Sequence, residues 1–349
     1  MKAVVKYEAG PEMTRCMDVP VPKIGDDEVL VKVGYAGICG TDPHMHHNQS
    51  VFVLEPPIIM GHEFAGTIVE TGANVTEWRK GDRVACETHA EFCGTCEYCR
   101  TNRYHICKQR KGYGFHVDGA FAEYVPVHTR ILHKLPDSIS FKDASVIEPV
   151  CVAYKSAFSS SNINPADHVA VIGPGPIGLL CVMMAKLAGA AKIALVGAAG
   201  DDMRLELAKS LGADVCVNAA TEDAREVLKD FGNGAGAHLV IDTAGVAPAL
   251  DLSLDLVRPF GQITKIGWGE KPVGFSLDRL LQKSATLKGH FSHTFDVWER
   301  VIELMADGKL DISPIITHEM PIEDWEKGYE MVENKTALKA VLNIGGETP

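Results

Sequence analysis

The sequence predicts an α/β protein in two parts, a mostly antiparallel, barrel-like β domain and a doubly wound parallel sheet flanked by helices. Three observations carry this. Up to about residue 148 short apolar alternations are broken by Gly and Pro, the pattern of short strands and tight turns. From about 150 the rhythm becomes buried strand, helix, buried strand, helix, which packs as a parallel sheet with helices on its faces. From about 285 the chain returns to a strand, an amphipathic helix and short strands, a tail expected to rejoin the first domain. The domains are drawn at 1–150, 151–285 and 286–349.

In order, strands are expected over 3–5, 28–33, 66–70 and 82–85, punctuated by Gly72, Gly81 and Gly119. The second part reads as a strand over 169–172, a helix over 177–187, a strand over 193–196 and a helix over 203–211 closed by Gly212 at the position after its C-cap. Further strands follow over 215–217, 239–241, 263–266 and 285–288, then a helix over 295–306. No spacing repeats, so solenoids are excluded.

With 349 residues and 46% of them hydrophobic, the chain can bury a core in each of two domains. A formal charge of −12 with no basic cluster argues against a nucleic-acid binder. Lys2 and Lys6 enclose no apolar block, and the most apolar run, 177–191, is broken by Lys186, so neither a secretory signal nor a membrane span is expected. A chain of this size needs no disulfide staples, so its ten cysteines point to a reducing, cytoplasmic compartment. Cys16, Cys86, Cys151, Cys181 and Cys216 read as inert thiols.

Cys39, His62 and Glu63 offer a thiolate, an imidazole and a carboxylate, donors zinc prefers, and three of them leave a fourth position open for chemistry. Cys93, Cys96, Cys99 and Cys107, separated by two, two and seven residues, supply four thiolates and a closed shell, a structural zinc lobe over about 86–110. Its rivals are a disulfide cluster, which a reducing compartment disfavours, and an iron–sulfur cluster, whose Cys-Pro ending is missing.

Gly173-Pro174-Gly175-Pro176-Ile177-Gly178 follows an expected strand and opens an expected helix. In that context Gly173, Gly175, Pro176, Ile177 and Gly178 let the backbone approach a pyrophosphate at the helix N-terminus. The acidic residue that usually takes the ribose hydroxyls is replaced by Gly197 or Ala198. That opens room for a ribose phosphate and leaves NADP open, whereas Asp201 and Asp202 before Arg204 favour NAD; Arg204 is a cofactor candidate whose alternative is a solvated residue in the first turn of a helix.

With these features in one order, the chain resembles the zinc-dependent medium-chain dehydrogenases, in the branch of the sorbitol and threonine dehydrogenases. The resemblance spans the whole chain. It rests on Gly61-His62-Glu63 with Gly66, Gly72 and Gly81, on the four-cysteine lobe, on 173–178, and on Ile147-Glu148-Pro149, where many alcohol dehydrogenases carry a cysteine ligand. It implies a GroES-like catalytic domain split around a Rossmann domain, with the active site in the cleft. It also implies a catalytic zinc on Cys39, His62 and Glu63, with Glu148 binding directly or through water, and Asp42 orienting the ring of His62. Thr41 would accept the substrate hydroxyl proton and His44 pass it outward.

The implied reaction moves a hydride between a secondary alcohol of a polyol or sugar-like molecule and NAD or NADP, with NAD slightly favoured. The implied assembly is a homodimer or homotetramer, with no nucleic-acid or membrane partner. The chain departs from sorbitol dehydrogenases at Met45, where they carry Tyr, and at Ser292-His293, where they carry Arg-Tyr. His46 and His47 read as solvated, with the binding of a polar substrate as the alternative. An L-threonine 3-dehydrogenase or a general secondary alcohol dehydrogenase would share every motif. A nucleotide-sensing or zinc-storing protein on this scaffold would share the binding residues without turnover.

Overall fold

The strand Glu28–Gly37 is the spine of the N-terminal sheet. Val29, Leu30, Val31, Val33 and Ala36 are buried along it, so the apolar run reflects packing on both faces. It pairs antiparallel with Glu63–Thr71, Tyr124–His128 and Lys339–Asn343. The sheet runs on through Arg83–Cys86 and Leu132–Lys134, and on its other side through Ile316–Pro321, which pairs in parallel with Lys339–Asn343. A smaller sheet holds Thr14–Asp18, Lys2–Lys6 and Ile58–Ile59. Glycine is required where strands meet closely: a Cβ on Gly66 would stand 2.1 Å from the Lys32 carbonyl oxygen.

The computed structural model describes residues 1–50, 54–269 and 271–347. The chain divides into Met1–Glu148 with His293–Pro349, and Pro149–Ser292. Within the first unit the helix Phe295–Ala306 buries Val297, Trp298, Val301 and Ile302 as one stripe.

The second unit is an all-parallel sheet in the order Val215–Asn218, Lys192–Gly197, His168–Ile172, Ala237–Asp242, Val257–Lys265, Thr286–Gly289. Helices Pro176–Leu187 and Asp202–Leu211 connect its first strands, and Gly212 takes a positive φ of 119° after the second helix. The strand Thr286–Gly289, which the sequence reading placed at the start of the returning segment, is the edge of this sheet. No helix among the described residues is long and apolar enough to cross a membrane.

Candidate metal centre and dinucleotide site

Strand register gathers the candidate ligands. Gly37 lies opposite Glu63 on one side and Val341 on the other, so Cys39, Glu63 and Lys339 converge at one end of the strand Glu28–Gly37. One donor atom each from Cys39, His62 and Glu63 lies within 4.8 Å of the others. Gly37 makes the room, since a Cβ there would stand 2.5 Å from Glu63 Oε2.

Asp42, fully buried, accepts the Cys39 backbone N–H at 2.8 Å, and its other oxygen lies 3.5 Å from His62 Nδ1. Those two atoms have no hydrogen-bond partner. A ring facing Asp42 through Nδ1 leaves Nε2 for a cation. Burial opposes a charged His62, but Asp42 and Cys39 outweigh it and raise its pKa. A half-buried thiol with a buried imidazole and carboxylate, and orphaned polar atoms beside them, fit a divalent ion of zinc's preferences.

Lys339 is the partner that sequence reasoning missed. Its Nζ lies 2.7 Å from Glu63 Oε1 and 2.5 Å from Oε2, with both residues buried. Burial lowers the Lys339 pKa, and the Glu63 and Cys39 charges more than reverse this. The Glu63 carboxylate is therefore already balanced by one cation, and a metal would share it. No motif announces Lys339, because 276 residues separate it from Glu63.

The helix Thr41–His46 starts beside this group, with Thr41 Oγ1 3.2 Å from Cys39 Sγ and His44 exposed one turn on. Met45 is fully buried in the core. His46 corrects the solvated reading: it is 5% exposed and packs edge-on against Trp325 and Tyr329. His47 is half-buried and pairs with Glu333 at 3.1 Å.

Glu148 is held by His293, whose Nε2 lies 3.3 Å from Glu148 Oε1. Burial would raise the Glu148 pKa; His293, His62 and Lys339 together lower it. Burial likewise disfavours charge on His293, and Glu148 and Glu87 pull it the other way. The Trp298 indole N–H donates to His293 Nδ1 at 2.8 Å. Indole is a donor only, so Nδ1 must offer a lone pair, and the ring is best assigned as neutral with its proton on Nε2, toward Glu148.

Glu87, His89 and His293 also place one donor atom each within 4.8 Å. Here the lone pairs are already used. Arg110 donates to His89 Nδ1 at 3.2 Å, Trp298 occupies His293 Nδ1, and the Tyr104 hydroxyl reaches both Glu87 oxygens at 2.7 and 2.8 Å. Burial opposes ionisation of Glu87, but its neighbours, the hydrogen bond from His133 first among them, outweigh it and hold its pKa down. This group is a hydrogen-bonded polar network beside Glu148.

In the cysteine lobe the sulfurs of Cys93 and Cys99, Cys96 and Cys99, and Cys93 and Cys107 lie 3.7, 3.4 and 3.6 Å apart, all as free thiols. A tetrahedral zinc with Zn–S bonds of ~2.3 Å sets sulfurs ~3.8 Å apart. The four thiols fit that shell.

In the second unit Gly175 caps the helix Pro176–Leu187 with no side-chain bond, so its first N–H groups remain available to an anion. A Cβ on Gly175 would meet nothing within 4 Å, whereas one on Gly178 would stand 1.8 Å from the Gly173 carbonyl oxygen. The first glycine leaves a cradle open and the last lets helix and strand touch. Gly197 ends its strand packed against Pro174, Asp201 and Leu205. Asp201 is buried, accepts the Ala198 N–H at 2.9 Å and lies 3.9 Å from Arg204 Nη1; Asp202 accepts from Asn218 at 2.8 Å. Both carboxylates counted toward NAD are thus engaged by groups of this chain, Asp201 within the loop and Asp202 with Asn218 of the neighbouring strand.

Comparison with known proteins accords with this architecture. Residues 25–137 match the alcohol dehydrogenase GroES-like domain, and residues 176–307 match the zinc-binding dehydrogenase model. The chain is 35% identical over 343 residues to a sorbitol dehydrogenase of Halalkalibacterium halodurans, covering 98% of this chain and 99% of that protein. It is 38% identical over 346 residues to an L-threonine 3-dehydrogenase of Bacillus velezensis, covering 98% of each. Among solved structures, the alcohol dehydrogenase TADH of Thermus sp. ATN1 superposes with a TM-score of 0.90 at 33% identity, covering 99% of this chain and all of that one. The chain belongs to the zinc-dependent medium-chain dehydrogenase family, in its sorbitol and threonine dehydrogenase branch, and is an oxidoreductase of the alcohol dehydrogenase type.

Proposed function

We propose that this dehydrogenase oxidises a secondary alcohol of a polyol or sugar-like molecule to the ketone, and runs in reverse, with a catalytic zinc on Cys39, His62 and Glu63. The observation that carries the reading is the convergence of those three donors within 4.8 Å, with Glu148 held nearby by His293. When bound, zinc supplies a Lewis acid for the substrate oxygen and the nicotinamide accepts the carbinol hydride. Thr41, 3.2 Å from the Cys39 sulfur, takes the hydroxyl proton. His44, one turn along the same helix face and exposed, passes it to water. Asp42 fixes the ring of His62 and the backbone of Cys39. Glu148 stays anionic under the pull of His293 and would add negative charge near a bound metal, directly or through water.

Cys93, Cys96, Cys99 and Cys107 would hold a second zinc that stabilises their lobe. Gly175 and the uncapped helix end would hold the pyrophosphate of the cofactor. NAD is the favoured cofactor, because Asp201 neutralises Arg204 and Asp202 leaves negative charge where a ribose phosphate would sit. The edge strand Thr286–Gly289, with Phe260, Trp268 and Leu281 exposed in the same unit, suits pairing with a second copy as a dimer or tetramer.

L-Threonine is the competing substrate, supported by the 38% identical relative. One experiment separates the readings: zinc-loaded enzyme assayed against polyols, sugar acids, simple secondary alcohols and L-threonine, with NAD and NADP in turn. Turnover of polyols with NAD supports the proposal. Turnover confined to threonine replaces it.

A further inference from the structure

Beside the cysteine lobe of the first unit opens a cavity of about 650 Å³ whose described lining includes Lys108, Arg110, Lys111, His116 and Arg130 but a single carboxylate, Glu91. Glu91 is taken by Lys111 at 2.9 Å. Four permanent cations around one opening run against a chain whose net charge is −12. Arg130 lies over the Phe92 ring at 3.9 Å, which fixes its guanidinium without neutralising it. Arg110 is oriented by its bond to the neutral His89 Nδ1 at 3.2 Å. Cys93 also faces the cavity, so balancing the lobe is the competing role for these cations. A zinc with four thiolates carries a formal −2, smaller than the charge of the four cations around the opening. Peptide N–H groups of Cys96 and Gln109 already reach the Cys93 and Cys107 sulfurs at 3.3 and 3.4 Å.

Two of the lining residues connect to the metal pocket. Arg110 leads through His89 to the His293 ring, 4.6 Å away, and so to Glu148. His116 follows Phe115, whose ring lies 4.7 Å from that of His62.

We propose that this cavity is an anion subsite for a phosphoryl group. A phosphoryl dianion needs more than one cation, and a guanidinium fork engages its oxygens in pairs. The group belongs either to the far end of a phosphorylated polyol, an assignment that rests on the dehydrogenase reading above, or to free phosphate.

The test uses the zinc-loaded, full-length protein, with inorganic phosphate followed by calorimetry and with kinetics on sorbitol and sorbitol 6-phosphate. The variants are Arg110→Gln and the double variant Lys108→Gln/Arg130→Gln, whose exposed positions keep the test available if the first fails to fold. Phosphate should bind the parent and bind the double variant at least about tenfold more weakly, the effect of losing one charge-assisted hydrogen bond. If KM for sorbitol 6-phosphate rises likewise, without the same change for sorbitol, the phosphoryl group is the substrate's. If phosphate binding falls and neither KM moves, free phosphate is the ligand. No phosphate binding by the parent at tens of millimolar, or binding indifferent to the substitutions, overturns the subsite. Phosphate binding without turnover of any alcohol would remove the dehydrogenase reading and leave the subsite standing.

Discussion

Two residues decide most at the candidate metal centre. Thr41→Val keeps the shape of the side chain and removes its hydroxyl, so the proton relay predicts loss of most turnover with zinc content unchanged. Retained turnover would sink the relay. Lys339 carries a different burden. Replacing it with Met strands the Glu63 carboxylate in a buried site, and breaking such a pair from one side costs about 3–5 kcal/mol. That loss should appear in chemical denaturation of the metal-free protein and shrink once zinc is bound, because a cation then faces Glu63 again. An equal loss with and without zinc would place Glu63 outside the metal's reach.

At the scale of elements, the strand-to-helix turn at 173–178 separates two roles of glycine. Gly178→Ala must push the helix from the Gly173 carbonyl, so it should lower stability and nucleotide affinity together. Gly175→Ala meets no atom within 4 Å and should weaken nucleotide binding by filling the cradle while leaving stability within about 1 kcal/mol. Equal melting losses for both would contradict this. The strand Leu132–Lys134 and the helix Phe295–Ala306 meet through His133, which lies 2.5 Å from Glu299 and 3.3 Å from Glu87.

Burial disfavours charge on His133, and Glu299 and Glu87 outweigh it, so its pKa is raised; the His133 bond lowers that of Glu299. A raised histidine stabilises fully below its unfolded pKa of ~6.5 and loses this as pH rises through the folded value. A lowered glutamate stabilises above ~4.3 and loses this as pH falls. Glu299→Gln should therefore destabilise most near about pH 5.5 and progressively less toward alkaline pH. A difference constant from pH 5 to 9, read from denaturation midpoints, would refute the linkage.

The same scale explains what the sequence revealed. Strands and helices of the second part were legible because each is a run of buried or periodic residues with Gly at its ends; the helix at Phe295–Ala306 shows its stripe plainly. Cys39, His62 and Glu63 were legible as candidate ligands through the family resemblance, since their spacing alone is a weak signal. The burial of Met45 and His46 was not. A six-residue helix is too short to show a period, and what covers His46 is Trp325 and Tyr329, far along the chain. Lys339 and His293 escaped for the same reason, since their roles exist only through strand pairing and packing. The basic cavity escaped because its cations are scattered from Lys108 to Arg130 and never form a run.

For the whole molecule, the two candidate metal sites, both in the first unit, imply two different demands on metal. The four-cysteine lobe should hold its ion through mild chelation, because four thiolates close the shell. The three-donor site should lose its ion first, because one position stays open. The most direct test of the account counts zinc and activity on one sample. The purified enzyme should contain two zinc ions per chain, and a chelator titration should remove one ion in step with polyol oxidation while the other remains. One zinc per chain with full activity, or activity that survives loss of the labile ion, would contradict the central claim.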